Sequence, residues 1–219
     1  MSIWNGAVIL VTGASGSFGT AFLELLLATE RPASVRALAR SEPRLAALER
    51  RLDDPRLRIC KGDVRDYDRL HEVMDGVNIV VHAAALKRVD GESDASEMEL
   101  TNVDGSRNVA RAAAERRVER VMGISSDKAC QAVTLYGATK LVMERHFLSA
   151  HGSSRTAFGC VRYGNVIGSA GSIVPLFREQ ARTGRITVTD LRCTRFWLGL
   201  DDAVRWVKRR VELLEPGSL

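Results

Sequence analysis

No apolar run in the 219 residues approaches the roughly 20 that a membrane-spanning helix needs, so no membrane partner is expected. Cysteine is scarce and scattered. Cys60, Cys130, Cys160 and Cys193 form no Cys-x-x-Cys pair and no metal-ligand spacing. That argues against a disulfide framework or a metal site and for a reduced, cytoplasmic protein. The first residues lack a basic stretch followed by an apolar core and a cleavage site, so no secretory leader is expected. Internal repeats, low-complexity tracts and proline-rich linkers are also missing. Net charge is +5, but the arginines and lysines are dispersed and mostly alternate with Asp or Glu, as on solvated helix faces. A mild balance of that kind argues against nucleic acid and suits a small anionic ligand.

What is there is an alternation of short β-branched runs with longer helical segments, in a chain long enough for one well-buried domain. Strands are expected at Ala7 to Thr12, Ser34 to Ala39, Leu57 to Lys61, Asn78 to Ala83, Arg120 to Ser125 and Ala157 to Tyr163, with a short one at Ile186 to Thr189. Helices are expected at Ser17 to Thr29, Glu42 to Leu52, Tyr67 to Met74, Ser93 to Arg117, Tyr136 to Ala150, Ile173 to Arg182 and Asp201 to Leu214. The pattern predicts an α/β fold, a Rossmann-like doubly wound parallel sheet with helices on both faces. Strict alternation stops near residue 165. Residues 1–165 therefore read as a nucleotide-binding domain that also holds the catalytic residues, and 166–219 as a small substrate-side region packed on it.

Thr12-Gly13-Ala14-Ser15-Gly16-Ser17-Phe18-Gly19 follows the first strand and opens the first helix. Glycines at that spacing allow a tight turn and close approach of a pyrophosphate to the helix N-terminus. Gly13, Ser15, Gly16, Ser17, Phe18 and Gly19 are the expected dinucleotide contacts. The second strand ends in Ala39-Arg40-Ser41, where NAD-specific folds place an acid. Arg40 and Ser41 suit a 2′-phosphate, which favours NADP over NAD; the alternative for Arg40 is an ordinary surface residue. Asp63 and Val64, after the third strand, face either the adenine edge or, for Asp63, the cap of the next helix. His82-Ala83-Ala84-Ala85 places small residues beside the cofactor, with His82 itself a packed, hydrogen-bonded core residue. Lys87 faces substrate or solvent, and Asn102 joins neighbouring strands through its side chain.

The chemistry concentrates at Ser126-Asp127-Lys128 and Tyr136-Gly-Ala-Thr-Lys140. Tyr136 and Lys140 are four apart on a helix and share a face. An ammonium beside a phenol eases loss of its proton, which suits withdrawal of a proton from a hydroxyl while a hydride leaves its carbon. Asp127 and Lys128 supply a further acid and base, as a reaction that oxidises, eliminates water and reduces again requires. Tyr163-Gly164-Asn165-Val166, ending the sixth strand, continues the same wall.

Together these motifs resemble the extended short-chain dehydrogenase/reductase superfamily. Within it the chain is most similar to the inverting UDP-N-acetylglucosamine 4,6-dehydratases, over about Asn5 to Leu214. The stretches that carry the resemblance are Thr12 to Gly19, His82 to Lys87, Ser126 to Ala129, Leu135 to Lys140, Arg162 to Val166 and Thr194 to Trp197. Retaining relatives have Asp-Glu where this chain has Asp127-Lys128, so the resemblance implies the inverting branch. It implies that Tyr136, helped by Lys140 and Ser126, takes the C4 hydroxyl proton as hydride passes to NADP. Lys128 then removes the C5 proton and Asp127 protonates the departing C6 hydroxyl. Ala83, Ala84, Ala85, Tyr136, Lys140 and Tyr163 would line the cofactor, and Lys87, Asn165 and Arg195 the nucleotide-sugar or nucleoside substrate. Relatives of this kind also imply a homo-oligomer.

Departures from the family pattern fall mainly on the substrate half: Gln131-Ala132, Ala170 in Gly168 to Ser172, the shorter Val89 to Glu97 loop, and an end soon after the last helix. A C4 epimerase or ketoreductase needs only Tyr136 and Lys140 and is the second reading. A non-catalytic NADP-binding protein is the third.

Overall fold

Six of the apolar runs take their places in one sheet. The protein, described by a computed structural model over residues 2–87, 92–152, 154–169, 172–188 and 190–219, has strands β1 (Val8–Thr12), β2 (Ser34–Ala39), β3 (Leu57–Lys61), β4 (Ile79–His82), β5 (Arg120–Ile124) and β6 (Ala157–Val161). All neighbours are parallel, in the order β3-β2-β1-β4-β5-β6. Parallel pairing requires a crossover between strands. Helices α1 (Ser17–Thr29), α2 (Glu42–Leu52), α3 (Tyr67–Val73), α4 (Glu92–Glu99), α5 (Gly105–Glu115) and α6 (Leu135–His151) supply these crossovers, followed by α7 (Ile173–Arg182) and α8 (Leu200–Glu212).

Local sequence explains most boundaries. Pro43 lies in the first turn of α2, and Arg50 and Arg51 in its last turn complement the helix dipole. Asp66 caps α3 by accepting from Arg69 N at 3.0 Å. Thr134 caps α6, its Oγ1 accepting from Gly137 N at 3.1 Å.

The core has two halves, one on each face of the sheet. On one face Trp4, Phe22, Leu26, Leu45 and Leu48 pack with Val204, Val207 and Val211 of α8. On the other, Leu70, Val109, Met143, Phe147 and Phe158 bring α3, α5 and α6 together. Thr12 pairs with Leu38 on one side and His82 on the other. The chain order reverses between β1 and β4, and open parallel sheets bind ligands outside their carboxyl ends at such a point.

Two expectations need correcting. The helix foreseen from Ser93 is α4 and α5 joined by a π-helical turn, Leu100–Asp104. No strand forms in described residues 186–188; Ile186 and Val188 are each 48% exposed, and a β-branched run without a pairing partner gains nothing from extension. Instead β7 (Asn165–Val166) pairs in parallel with β8 (Trp197–Leu198). Ala170, Thr189 and residues 88–91 lie outside the described residues.

Candidate active site

The β1–α1 turn is built for close approach. Gly13 has φ +67°, and a Cβ there would lie 2.7 Å from Ala84 N and 2.8 Å from the Ala83 carbonyl carbon. Only glycine lets the loops after β1 and β4 meet this tightly. Gly16 sits at the N-cap of α1 with no side-chain cap, and no acid occupies the first turn. A 13-residue helix with its N-terminus left positive in this way fits a pyrophosphate. Ser15 and Ser17 lie in the same turn. Phe18 stacks on Tyr163 with ring centroids 6.0 Å apart, joining the loop to the end of β6.

At the end of β2, Arg40 Nη1 lies 3.8 Å from Asp63 Oδ2 and 4.0 Å from Glu97 Oε2, with its side chain 47% exposed. Ser41 is the N-cap of α2. Asp63 is committed elsewhere: Oδ1 accepts from Arg65 N at 3.0 Å and Oδ2 from Arg65 Nε at 2.8 Å. Burial pushes its carboxyl up, but the Arg65 hydrogen bonds and the Arg40 charge outweigh that and hold it low. The cap of α3 is Asp66, not Asp63. Val64 is 4% exposed and packs on Gly105.

His82 is the core residue its surroundings suggested. Its Nδ1 meets Thr12 Oγ1 at 2.8 Å and its Nε2 meets Ser106 Oγ at 3.0 Å. Burial takes its pKa down to about 3. Asn102, in the π turn, holds the segment after β4 rather than a strand. It accepts from Leu86 N at 2.8 Å, donates to Leu86 O at 2.9 Å, and donates to Thr139 Oγ1 at 3.0 Å. That clamp sets Ala83, Ala84, Ala85 and Lys87 against α6.

The acid–base groups gather between the ends of β5 and β6. Lys128 Nζ donates to Asp127 Oδ1 at 3.0 Å and to Asn165 Oδ1 at 2.9 Å. Ser126 Oγ donates to Asp127 Oδ1 at 2.9 Å and also hydrogen-bonds Tyr136. Asp127 N donates to Tyr163 O at 3.1 Å, which locks the turn to the end of β6. Tyr136 differs from expectation. Burial pushes its phenol up to about 12, the Asp127 charge adds to that, and only the Ser126 hydroxyl pulls the other way. Among the described residues no hydrogen bond joins Tyr136 to Lys140, whose Nζ donates to Met143 Sδ at 3.3 Å. Burial, with Lys87 nearby, brings Lys140 down to about 8. Lys87 is exposed at the edge of this cluster, its ammonium disfavoured by surrounding protein and then by Lys128. Burial also raises the Tyr163 phenol. Arg195 stands apart, fully on the surface, donating to Thr194 O at 2.6 Å.

Residues 9–219 match the family of polysaccharide biosynthesis proteins. The chain belongs to this family, within the extended short-chain dehydrogenase/reductase superfamily. The UDP-N-acetylglucosamine 4,6-dehydratase (inverting) of Campylobacter jejuni subsp. jejuni is 39% identical over 99% of this chain and 67% of its own length. The UDP-glucose 4-epimerase of Rickettsia rickettsii is 37% identical over 96% of this chain and 64% of its own length. The chain thus spans about two thirds of these relatives. Among solved structures, the dTDP-glucose 4,6-dehydratase DesIV of Streptomyces venezuelae, with NAD bound, superposes with a TM-score of 0.84 at 27% identity, covering 96% of this chain and 74% of that one.

Within this polysaccharide biosynthesis fold, several site residues escaped sequence reasoning. Gly137 lets α6 approach the Asp127–Lys128 turn, since a Cβ there would lie 2.2 Å from Lys128 O. Buried Glu144 and half-buried Arg162 form an ion pair at 2.6 Å beneath the site. Asn165, expected on substrate, also steadies Lys128. The available signal was Glu144 itself, a carboxylate four residues past Lys140 on a face otherwise bound for the core.

Proposed function

We propose that the protein is a nucleotide-sugar 4,6-dehydratase acting on UDP-N-acetylglucosamine or a related sugar nucleotide or nucleoside, with inversion at C5. The observation that carries this reading is Lys128, held between Asp127 and Asn165 beside the Ser126–Tyr136 pair. Oxidation at C4 needs only the tyrosine. An additional acid and base in mutual contact fit an elimination.

The glycine turn and the α1 N-terminus would hold the dinucleotide diphosphate, with Tyr163 and Ala83 to Ala85 beside its nicotinamide half. Arg40 and Ser41 support NADP over NAD. NADP, when bound, takes the hydride from C4 and returns it to C6. Tyr136 acts from its phenolate, the form its burial disfavours, and accepts the C4 hydroxyl proton through or beside Ser126. One proton moved along the 3.0 Å Lys128–Asp127 contact leaves an amine on Lys128 and an acid on Asp127. Lys128 then takes the C5 proton, made acidic by the C4 ketone, while Asp127 gives its proton to the leaving C6 hydroxyl as water. A proton returned to C5 from the opposite face inverts that centre, and Lys128 releases the proton it took, so the count at C5 is unchanged. The proton gained by Tyr136 balances the one given by Asp127, and no oxidant is consumed.

In this reading residues 1–165 carry the cofactor and catalytic groups. Residues 166–219 supply the substrate side through Arg195 and the Asn165–Trp197 pairing, while α8 packs back on α1. Leu100 and Val142, 43% and 39% exposed on the α4–α6 side, support self-association there. Incubation with UDP-N-acetylglucosamine and related nucleotides, followed by mass spectrometry, should show loss of one water. Intact substrate across the panel, with bound cofactor confirmed, overturns the reading. The Rickettsia epimerase supports the second reading, and Lys128→Met decides between them: an epimerase keeps its turnover, a dehydratase loses elimination.

A further inference from the structure

One helical turn beyond Lys140 lies an ion pair, its carboxylate buried and its arginine half-buried, that no step above employs. Glu144 is 1% exposed. Its Oε1 accepts from Ser125 Oγ and, at 2.8 Å, from Arg162 Nε; its Oε2 accepts from Arg162 Nη2 at 2.6 Å. Three elements meet there: α6, the end of β5 and the end of β6. Arg162 directly precedes Tyr163, and Ser125 directly precedes Ser126.

Lys140 itself is 2% exposed, and a thioether, its hydrogen-bond partner, is a weak acceptor. A buried ammonium is costly without a counter-charge. The groups facing it are His82 from β4, Lys87 from the segment after β4, Cys160 from β6, and Glu144 on its own helix. Burial raises the Cys160 thiol to about 12, so it stays neutral. Glu144 is therefore the anion among these described neighbours. Arg162, on its far side, limits the pull.

We propose that Glu144 and Arg162 are a positioning pair for the reaction: together they set the charge carried by Lys140 and fix the Ser125–Lys128 turn against α6. The inference rests on Tyr136 and Lys140 being the proton-handling groups.

The chain has only five lysines, Lys61, Lys87, Lys128, Lys140 and Lys208, so each Cε signal of a ¹³C-lysine-labelled sample can be followed by NMR against pH. Lys140→Arg assigns the resonance. Glu144→Gln should lower the Lys140 midpoint by roughly two pH units, the effect of one charge about a helical turn away at an effective dielectric near 20. Glu144→Gln with Arg162→Gln removes both charges and should recover most of that drop. Loss of packing alone has no reason to reverse in the double variant. An unmoved midpoint in Glu144→Gln, or a double variant shifted as far as the single, overturns the proposal. If Glu144→Gln does not fold, Arg162→Gln decides: the midpoint should rise, and an unchanged or lower value overturns it. The readout needs no turnover, so it stands apart from failure of the dehydratase reading.

Discussion

Lys128 makes two hydrogen bonds, and each limits what it can do: Asn165 fixes its direction and Asp127 its proton supply. Lys128→Met should leave transient cofactor reduction by the C4 alcohol in place, read by absorbance. Water loss should fall a hundred- to ten-thousand-fold, the range for a lost general base. His82 yields a stability prediction. Its folded pKa is lowered from 6.5 to about 3, so between those values the unfolded chain binds the proton and the folded one does not. Stability should fall as pH drops below 6.5, with a slope approaching about 1.4 kcal/mol per pH unit, and level off near 3. Denaturant titrations on His82→Gln should show a shallower acid limb. The residue types at the site were legible because chemistry needs them: a Tyr-x-x-x-Lys, an Asp-Lys and a glycine turn. The direction of the Tyr136 shift was not, because burial depends on what the rest of the chain places around the phenol.

Between elements, contacts decide what a motif can do. Tyr136 reaches the Asp127–Lys128 turn because Gly137 gives way to Lys128 O. The obstructing atom is backbone, so Gly137→Ala must shift α6. A misplacement near 1 Å costs on the order of a hundredfold in rate. We expect kcat to fall by about that factor while NADP affinity, measured by fluorescence, changes little. Thr134→Ala removes the α6 cap and should cost about 1 kcal/mol in equilibrium unfolding. Helix spans were readable from 3.6-residue periodicity and caps. The π turn at Leu100–Asp104 was not. It is set by Asn102 reaching Leu86 and Thr139, partners 16 and 37 residues away. β8 escaped for the same reason: Trp197–Leu198 is a strand only because Asn165–Val166 lies beside it.

For the molecule as a whole, the glycine turn, the clamp on Leu86 and the Asp127–Lys128 turn converge on one sheet edge, and a ligand seated there stabilises everything that lines it. At a hundred times its dissociation constant, NADP should add about 2.7 kcal/mol to folding stability. Thermal melts should therefore rise more with NADP than with equimolar NAD, and Arg40→Met should erase the difference. Equal shifts in the parent protein would count against NADP as the resident cofactor.

Sequence alone determined the parallel α/β sheet, because continuous apolar strands alternating with amphipathic helices have few other ways to bury both faces. It also determined which residues can carry chemistry. Only the tertiary structure decided how they are poised. Lys140 rests on a thioether, Asp127 is shared by Ser126 and Lys128, and Glu144 is neutralised by Arg162. Proton affinities depend on burial and on charges from distant parts of the chain, and neither is written in the spacing of neighbours.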